Sequence, residues 1–538
     1  MGLSLLATTD TQIIRVVEAL FKQTPGYTYL SNFRTYTTEN GIDALANALA
    51  GNLSSQTDAE LAATVTANLG LTGDALAAGN SYLEGQFAAN PAARGKVVLD
   101  AMNLLATMES DATFGAVAAS YNADIVASLT YSTVTTNTTV LAAGEGQVLA
   151  MTTSADALVG GSKNDTASSL YFANNGTGTT IQAGDSFTGG EGTDTLTISV
   201  AGASAAAQTL SAVQTSSVEK ILVSNFDTDT SQARTHTVDA TLMSDVATVG
   251  LSSSSANGDT VFSSLQNLVD AEMRSGAGDM SVVYATTVVV GTTDTQNLTV
   301  SGLTAGTFTA AGVETVNVTT ETLKSTLAAL TVADATTLNI TGDKQLTITG
   351  NLGGNTALKT IDASGATGGV VLLDNASTVS FTGGAGDDTY KTSTAVAATY
   401  AVDGGAGTDT LSVTDSGVLN TALETARYTN FETLQINNAA TVTAASSQDM
   451  DLLSAGITKV VIDSQDTTDS GTDSTLTHAL TNAASGLQVQ VQNLSTAEVG
   501  TVSDDTLVAV SVAMKAATDT TSDSVDLILG TATADNGS

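Results

Sequence analysis

Gly383-Gly384-Ala385-Gly386-Asp387-Asp388 and, after a spacer, Asp403-Gly404-Gly405-Ala406-Gly407-Thr408-Asp409 carry the pattern that decides how the chain is read. Both fit G-G-x-G-x-D, the nonapeptide signature of parallel β-helices whose turns hold calcium. Adjacent glycines reach backbone angles closed to residues with a Cβ, so the chain turns tightly and aims its carbonyls inward. The terminal Asp adds a hard carboxylate oxygen, and calcium takes six to eight such oxygens. Gly189-Gly190-Glu191-Gly192-Thr193-Asp194 is a third match. Gly160-Gly161-Ser162-Lys163-Asn164-Asp165 is a degenerate fourth, with lysine in place of the third glycine. The expected metal is Ca2+, held by the motif glycines and by Asp194, Asp387, Asp388, Asp403 and Asp409, with Asp165 and Asp185 as further oxygen donors.

Working outward, the spacing of apolar strands sets the architecture. Thr195–Val200, Leu298–Val300, Val316–Val318, Leu338–Ile340 and Leu346–Ile348 alternate apolar residues with Thr or Asn, which suits a half-buried pleated surface. Successive strand cores are offset by 316 − 298 = 18, 338 − 316 = 22 and 361 − 338 = 23. Solenoid coils repeat at about 20–30 residues, whereas sandwich strands recur every ~8–12. The reading is a β-solenoid or stacked β-roll with calcium-binding turns, and tandem β-sandwiches are the alternative. A helical insert is expected at Ser263–Arg274, where Leu265, Leu268 and Met273 share one helical side.

A longer repeat overlies the coils. Gly189–Leu196 recurs as Gly404–Leu411, offset by 404 − 189 = 215. Downstream, Val218-Glu219-Lys220-Ile221 recurs as Phe431-Glu432-Thr433-Leu434, offset by 432 − 219 = 213, and Val313-Glu314-Thr315-Val316 is another copy of that strand. This is a duplicated module, opened in both copies by a calcium turn. The domain boundaries read 1–131 (helical), 132–147 (linker), 148–350 (first β-rich module) and 351–538 (second β-rich module).

Residues 1–131 differ from the rest. Ile13, Val17, Leu20 and Phe21 line one helical face, and Val97, Val98, Met102 and Leu105 another. Thr57-Asp58-Ala59-Glu60 is a capping box for a helix through Leu69. Pro91 suits the first turn of a helix to about Met108, and Asp111 suits the cap of one more, through about Val126. An all-α domain of about six helices follows. Lys22, Tyr27, Tyr29, Arg34 and Tyr36 fall in a loop-rich stretch, with Arg94 and Lys96 further on. Tyr rings stack on sugar faces and cations pair with acidic sugars or phosphate; the same aromatics also serve as helical core.

Composition excludes several functions. Acidic residues outnumber basic ones 54 to 16, for a net charge of −38. There is no basic footprint for nucleic acid, nor for bare anionic lipid. Divalent cations relieve such self-repulsion. With no Cys, neither disulfide nor thiolate metal site can form. No apolar run reaches the ~20 residues of a membrane span. The first ten residues lack a basic, apolar signal region, so export, if it occurs, does not read the N-terminus. Only His236 and His478 are present, neither in H-E-x-x-H, and no G-x-S-x-G elbow appears. Enzymatic activity is therefore not expected, and both histidines read as loop or strand-end residues. The acidic runs Asp463, Asp466, Asp469, Asp473 and Asp519, Asp523, Asp526 read as solvated loops or as interface calcium donors.

The Gly189 and Gly404 modules, Val332–Asp343, Leu358–Gly365 and the segment Asp111–Tyr131 together resemble the calcium-dependent surface-layer (S-layer) proteins that Gram-negative bacteria export by type I secretion. The resemblance implies a helical N-terminal domain that anchors to lipopolysaccharide O-antigen through residues such as Lys22, Tyr27, Tyr29, Arg34, Tyr36, Arg94 and Lys96. It also implies a β-rich remainder that self-assembles, with calcium, into a two-dimensional lattice at the cell surface. A type I-secreted calcium-binding adhesin without a lattice is the alternative. The chain departs from that pattern in lacking long tandem nonapeptide arrays. It also ends, at Ala532–Ser538, without the usual terminal calcium repeats and secretion signal.

Overall fold

The computed structural model describes residues 8–135, 137–138, 140–142, 146–161, 163–229, 234–373, 377–414, 416–419, 421, 426–439, 445–453, 456–465, 475–492, 507–515 and 524–529. Ser162, Asp466, Asp469, Asp473, Asp519, Asp523 and Ala532–Ser538 lie outside the described residues. By contacts the chain forms two compact units, one of residues 1–201, 209–224 and 239–248, the other of 202–208, 225–238 and 249–538.

The first unit begins with helices α1 (Thr9–Phe21), α2 (Tyr27–Asn40), α3 (Ile42–Gly51), α4 (Asp58–Asn68), α5 (Gly73–Ala89), α6 (Arg94–Leu105) and α7 (Gly115–Thr133). Helix α1 is the hub: Ile13, Ile14, Val16, Ala19 and Leu20 are almost wholly buried. Ile14, Val16, Ala19 and Leu20 pack with Leu61, Val65, Phe87, Val98 and Ile125 from the surrounding helices, and Ile13 packs with Leu30 and Leu45. Gly95 permits the closest crossing, since a Cβ there would lie 2.0 Å from the Ala46 carbonyl oxygen. The predicted capping box at Thr57 and Glu60 forms in full.

Three local expectations are corrected. Tyr27–Asn40 is a helix rather than a loop-rich stretch, because Pro25 and Gly26 stand immediately before its start. Helix α6 starts at Arg94, leaving Pro91 in the preceding turn. Asp111 caps a short turn at 111–114, after α6, by accepting from the N–H groups of Thr113 and Phe114, while α7 starts at Gly115 and runs on to Thr133.

A parallel β-solenoid of about ten turns spans residues 186–463. One coil of the second unit shows its construction. Thr315–Thr320 forms one face, Ser325–Leu327 the next and Ala329–Thr331 the third, before Thr337–Gly342 returns beside the first strand. Thr295 registers with Thr315, Thr315 with Thr337, Thr337 with Thr360 and Thr360 with Ser380. Successive coil lengths are therefore 315 − 295 = 20, 337 − 315 = 22, 360 − 337 = 23 and 380 − 360 = 20. Leu298 pairs with Val318 rather than Val316, so the expected spacing of 18 at this point is two positions out of register. A two-position offset keeps the same side chains inside, which is why the period still points to a solenoid. Inward residues such as Leu298, Val318 and Ile340 stack from coil to coil and are almost wholly buried.

The expected helix at Ser263–Arg274 is instead two strands, Gly258–Leu265 and Asp270–Gly276. Ser264 turns the chain with φ +58°, and Leu268 is exposed between the strands. The spacing of Leu265, Leu268 and Met273 imitates a helical face only because a turn separates them.

Candidate metal centre

The motif aspartates lie in turns that join strands on two different faces of the solenoid: Asp388 between Ser380–Thr382 and Thr389–Thr392, Asp194 between Ser186–Thr188 and Thr195–Gly202. Asp388 accepts from Val370 N at 2.6 Å and Gly384 N at 2.8 Å, so both its oxygens bind backbone N–H groups. Its own N–H donates to Asp409 Oδ1 at 2.7 Å, 21 residues on. The Asp409 N–H in turn donates to Glu432 Oε2 at 2.8 Å. The result is a ladder in which each acid receives the N–H of the acid one coil earlier.

The first copy repeats this ladder group for group. Asp165 accepts from Gln147 N and Gly161 N. Asp165 N donates to Asp194 Oδ1 at 2.6 Å, and Asp194 N to Glu219 Oε2 at 2.8 Å. Asn164 Oδ1 receives Thr193 N at 2.9 Å, as Asp387 Oδ1 receives Thr408 N at 2.9 Å. The Gly160 turn, degenerate in sequence, is thus the structural equal of the Gly383 turn. The ladders differ in spacing, 194 − 165 = 29 against 409 − 388 = 21, and in Asn164 standing where the second has Asp387. A third ladder has no glycine signature: Asp294 N donates to Glu314 Oε2 at 2.8 Å, and Asp294 Oδ2 accepts from Gly291 N at 3.1 Å. Glu219, Glu314 and Glu432 are not among the expected site residues. Their signal is the recurring apolar-Glu strand of the duplicated module.

The first glycine of each turn is required by proximity. A Cβ at Gly383 would fall 1.9 Å from the Gly404 carbonyl oxygen, and one at Gly189 would fall 1.8 Å from that of Ser217. Positive φ enters at the second glycine of two turns, Gly190 (+110°) and Gly405 (+95°).

Asp194 and Asp409 share one further property. Each is almost wholly buried, with Oδ1 bonded and Oδ2 lacking any hydrogen-bond partner. Burial pushes Asp194 up to about 6, with Asp165 and Glu219 adding repulsion. Burial pushes Asp409 up to about 7, with Asp388, Glu432 and Asp387 adding. A buried carboxylate oxygen left unsatisfied is costly unless it takes a proton or a cation. Asp165 and Asp388 are raised more weakly, because burial is offset by their N–H bonds. Asp185 binds Asp156 N and Gln182 N, and Asp403 binds Gly405 N and Asn430 Nδ2, so both brace their own turns. Among the described residues, no three Asp, Glu or His side chains are gathered into a ready metal cage. Asp194 Oδ2 and Asp409 Oδ2 therefore fit a hard cation as single carboxylate donors, with the other donors left to backbone carbonyls and water. Of the acidic runs, Asp463 lies in strand Lys459–Gln465 and accepts from Gln435 Nε2, and Asp526 lies in strand Val525–Leu529.

The expected sugar-binding residues are dispersed over the helices. Arg34 makes a two-pronged pair with Asp10, at 2.7 and 2.8 Å. Arg94 lies over the Phe87 ring and bonds Asp58 and the Gln56 and Thr57 carbonyls. Lys96 pairs with Asp100. These three cations are held by the fold. Tyr29 and Tyr36 are exposed on α2, and Tyr29 joins Phe33, Pro25, Gln23 and Asn52 around a cavity of about 560 Å³. Tyr27 opens α2, its N–H donating to the Asn137 carbonyl. Lys22 lines a separate polar cavity with Asp124, Lys163, Asp165 and Glu18, whose carboxyl burial pushes up to about 8.

The histidines are strand residues, not loop or strand-end residues: His236 lies within Arg234–Asp239 and His478 within Thr475–Ala483, both fully buried. His236 bonds Ser204 Oγ through Nε2 and Asn225 through Nδ1, each at 3.1 Å. Ser204 is 1% exposed, so its hydroxyl is sealed in the core rather than open to a substrate. No protein-family model matches the chain, and no curated protein matches it in sequence.

Proposed function

We propose that the protein is a non-enzymatic, type I-secreted S-layer component that uses calcium to lock its solenoid turns and to self-assemble at the outer surface of a cell. The observation that carries this reading is the matched pair of buried carboxylates, Asp194 and Asp409, each with one oxygen unpartnered in the same position of a duplicated module. Bound there, a calcium ion supplies the positive charge those oxygens lack. Asp194 and Asp409 hold it, while Glu219 and Glu432 fix the backbone N–H of each aspartate and so its carboxylate. The high negative charge supports a role for cations between copies as well. Anchoring to lipopolysaccharide belongs to the helical region, where Tyr29 and its neighbouring cavity offer the best sugar-stacking surface; Arg34 and Arg94 act there as braces.

The test combines equilibrium dialysis with electron microscopy of the purified chain. Calcium uptake lost in an Asp194→Asn/Asp409→Asn variant, together with ordered sheets that chelator dissolves, is the expected result. Absence of calcium uptake by the wild type overturns the metal assignment. Uptake without any ordered assembly overturns the lattice and leaves the adhesin reading.

A further inference from the structure

One outer face of the second unit carries a regular two-dimensional array of side chains. Its rows are strands Thr295–Leu303, Thr315–Thr320, Thr337–Gly342 and Thr360–Ala366, paired in parallel. Register aligns Thr295, Thr315, Thr337 and Thr360 in one column. Asn297, Asn317, Asn339 and Asp362 form the second, and Thr299, Thr319 and Thr341 the third. All of these are half-buried or exposed, while the alternate residues point into the core.

Two features set this face apart from an ordinary polar surface. Its repeat is fixed, with strands roughly 4.8 Å apart and like-facing residues ~6.6 Å apart along each strand. Its groups are also held in place. Asn339 Nδ2 donates to Asn317 Oδ1 and Asn317 Nδ2 to Asn297 Oδ1, each at 2.8 Å. Asn297 Nδ2 donates to Asp270 Oδ1 at 2.9 Å, and the Thr319 and Thr341 hydroxyls meet at 3.1 Å. Threonine is stiff at χ1 and the amides are chained, so little side-chain freedom is left to lose on binding. Within these four rows the three columns carry a single charge, Asp362, and the preceding row ends the uncharged patch by placing Asp270 and Glu272 in register with Asn297 and Thr299.

We propose that this threonine–asparagine face binds the surface of ice. Water held by a rigid array of hydroxyls and amides takes on the array's repeat. That ordering opposes contact with liquid water, but an ice face already presents oxygens in rows of similar spacing. The three rows Thr295–Leu303, Thr315–Thr320 and Thr337–Gly342 carry no charge in these columns and match an uncharged face, whereas a charge keeps its own hydration shell, so Asp270 and Asp362 bound the patch. The proposal does not rest on calcium or on self-assembly.

The experiment is ice-affinity partition of the full-length protein, growing ice slowly from dilute solution beside a soluble control protein that ice excludes. The wild type should enter the ice fraction several-fold above the control, and Thr319→Lys/Thr341→Lys should fall to the control level with its circular dichroism and Tm retained. Thr326→Lys, on another face of the same coils, should partition like the wild type. If the double variant fails to fold, the single Thr319→Lys carries the comparison. Exclusion of the wild type to the control level overturns the proposal. So does entry of a folded face variant at the wild-type level.

Discussion

Asp194 and Asp409 are the residues on which the metal reading turns, and their protonation gives it a sign. In an unfolded chain both titrate near 3.9. The fold raises them to about 6 and about 7 through burial, so the metal-free protein keeps protons that the unfolded chain has released. Their contribution to stability is complete below about pH 4 and is lost as pH rises through 6 to 7. Glu18, raised to about 8, extends the loss further. Chelator-treated protein should therefore melt lower at pH 7.5 than at pH 4.5. The expected drop is several degrees, since 1 kcal/mol moves the Tm of a large domain by ~2–4 °C. Calcium should restore the difference at pH 7.5, and Asp194→Asn/Asp409→Asn should flatten the slope. A metal-free Tm that rises steadily across this range would contradict the assignment. Asp388→Ala acts differently: it strips the acceptor from two backbone N–H groups and leaves the turn itself unbraced.

At the scale of the coil, register governs. Deleting residues 315–336 brings Thr337 opposite Thr295, the place Thr315 holds now, so every inward residue stays inward. That whole-coil deletion should fold, with β-sheet circular dichroism retained and Tm a few degrees lower. Deleting 315–335 turns the apolar residues of the next strand outward and should yield insoluble protein. The same logic explains what was legible in the sequence. Parallel in-register strands place one apolar stripe per coil, so the coil period survives an error of two positions, as at Leu298. The capping box at Thr57 is local chemistry and could be read directly. The helix misassigned at Ser263–Arg274 arose where a turn at Ser264 joined two alternating patterns. The acid ladders were only half legible. Their glycines and aspartates stand in a motif, but the partners Glu219 and Glu432 lie 25 and 23 residues away, a distance fixed by coil length alone. The ladder at Asp294 and Glu314 carries no motif at all.

At the scale of the molecule, charged residues make up only 13% of the chain, yet the net charge is −38. In the ladders and turns described, aspartates and glutamates gather between strands, while the broad faces of the coils are largely Thr, Ser, Asn and Val. Repeat proteins of this kind gain their stability as a sum over neighbouring coils rather than from one shared core. From Thr295 to Thr382 each strand on the first face bonds only the strands before and after it. Such a stack bears load like a coiled rope, not like a knot. Tethered at both ends and stretched, that segment should yield in a train of nearly equal steps, each freeing one coil. Each step should add ~75 Å of chain, at about 3.4 Å per residue. Single-molecule force traces would show this as an evenly spaced sawtooth whose peaks calcium leaves unchanged, because Asp194 and Asp409 lie outside the segment.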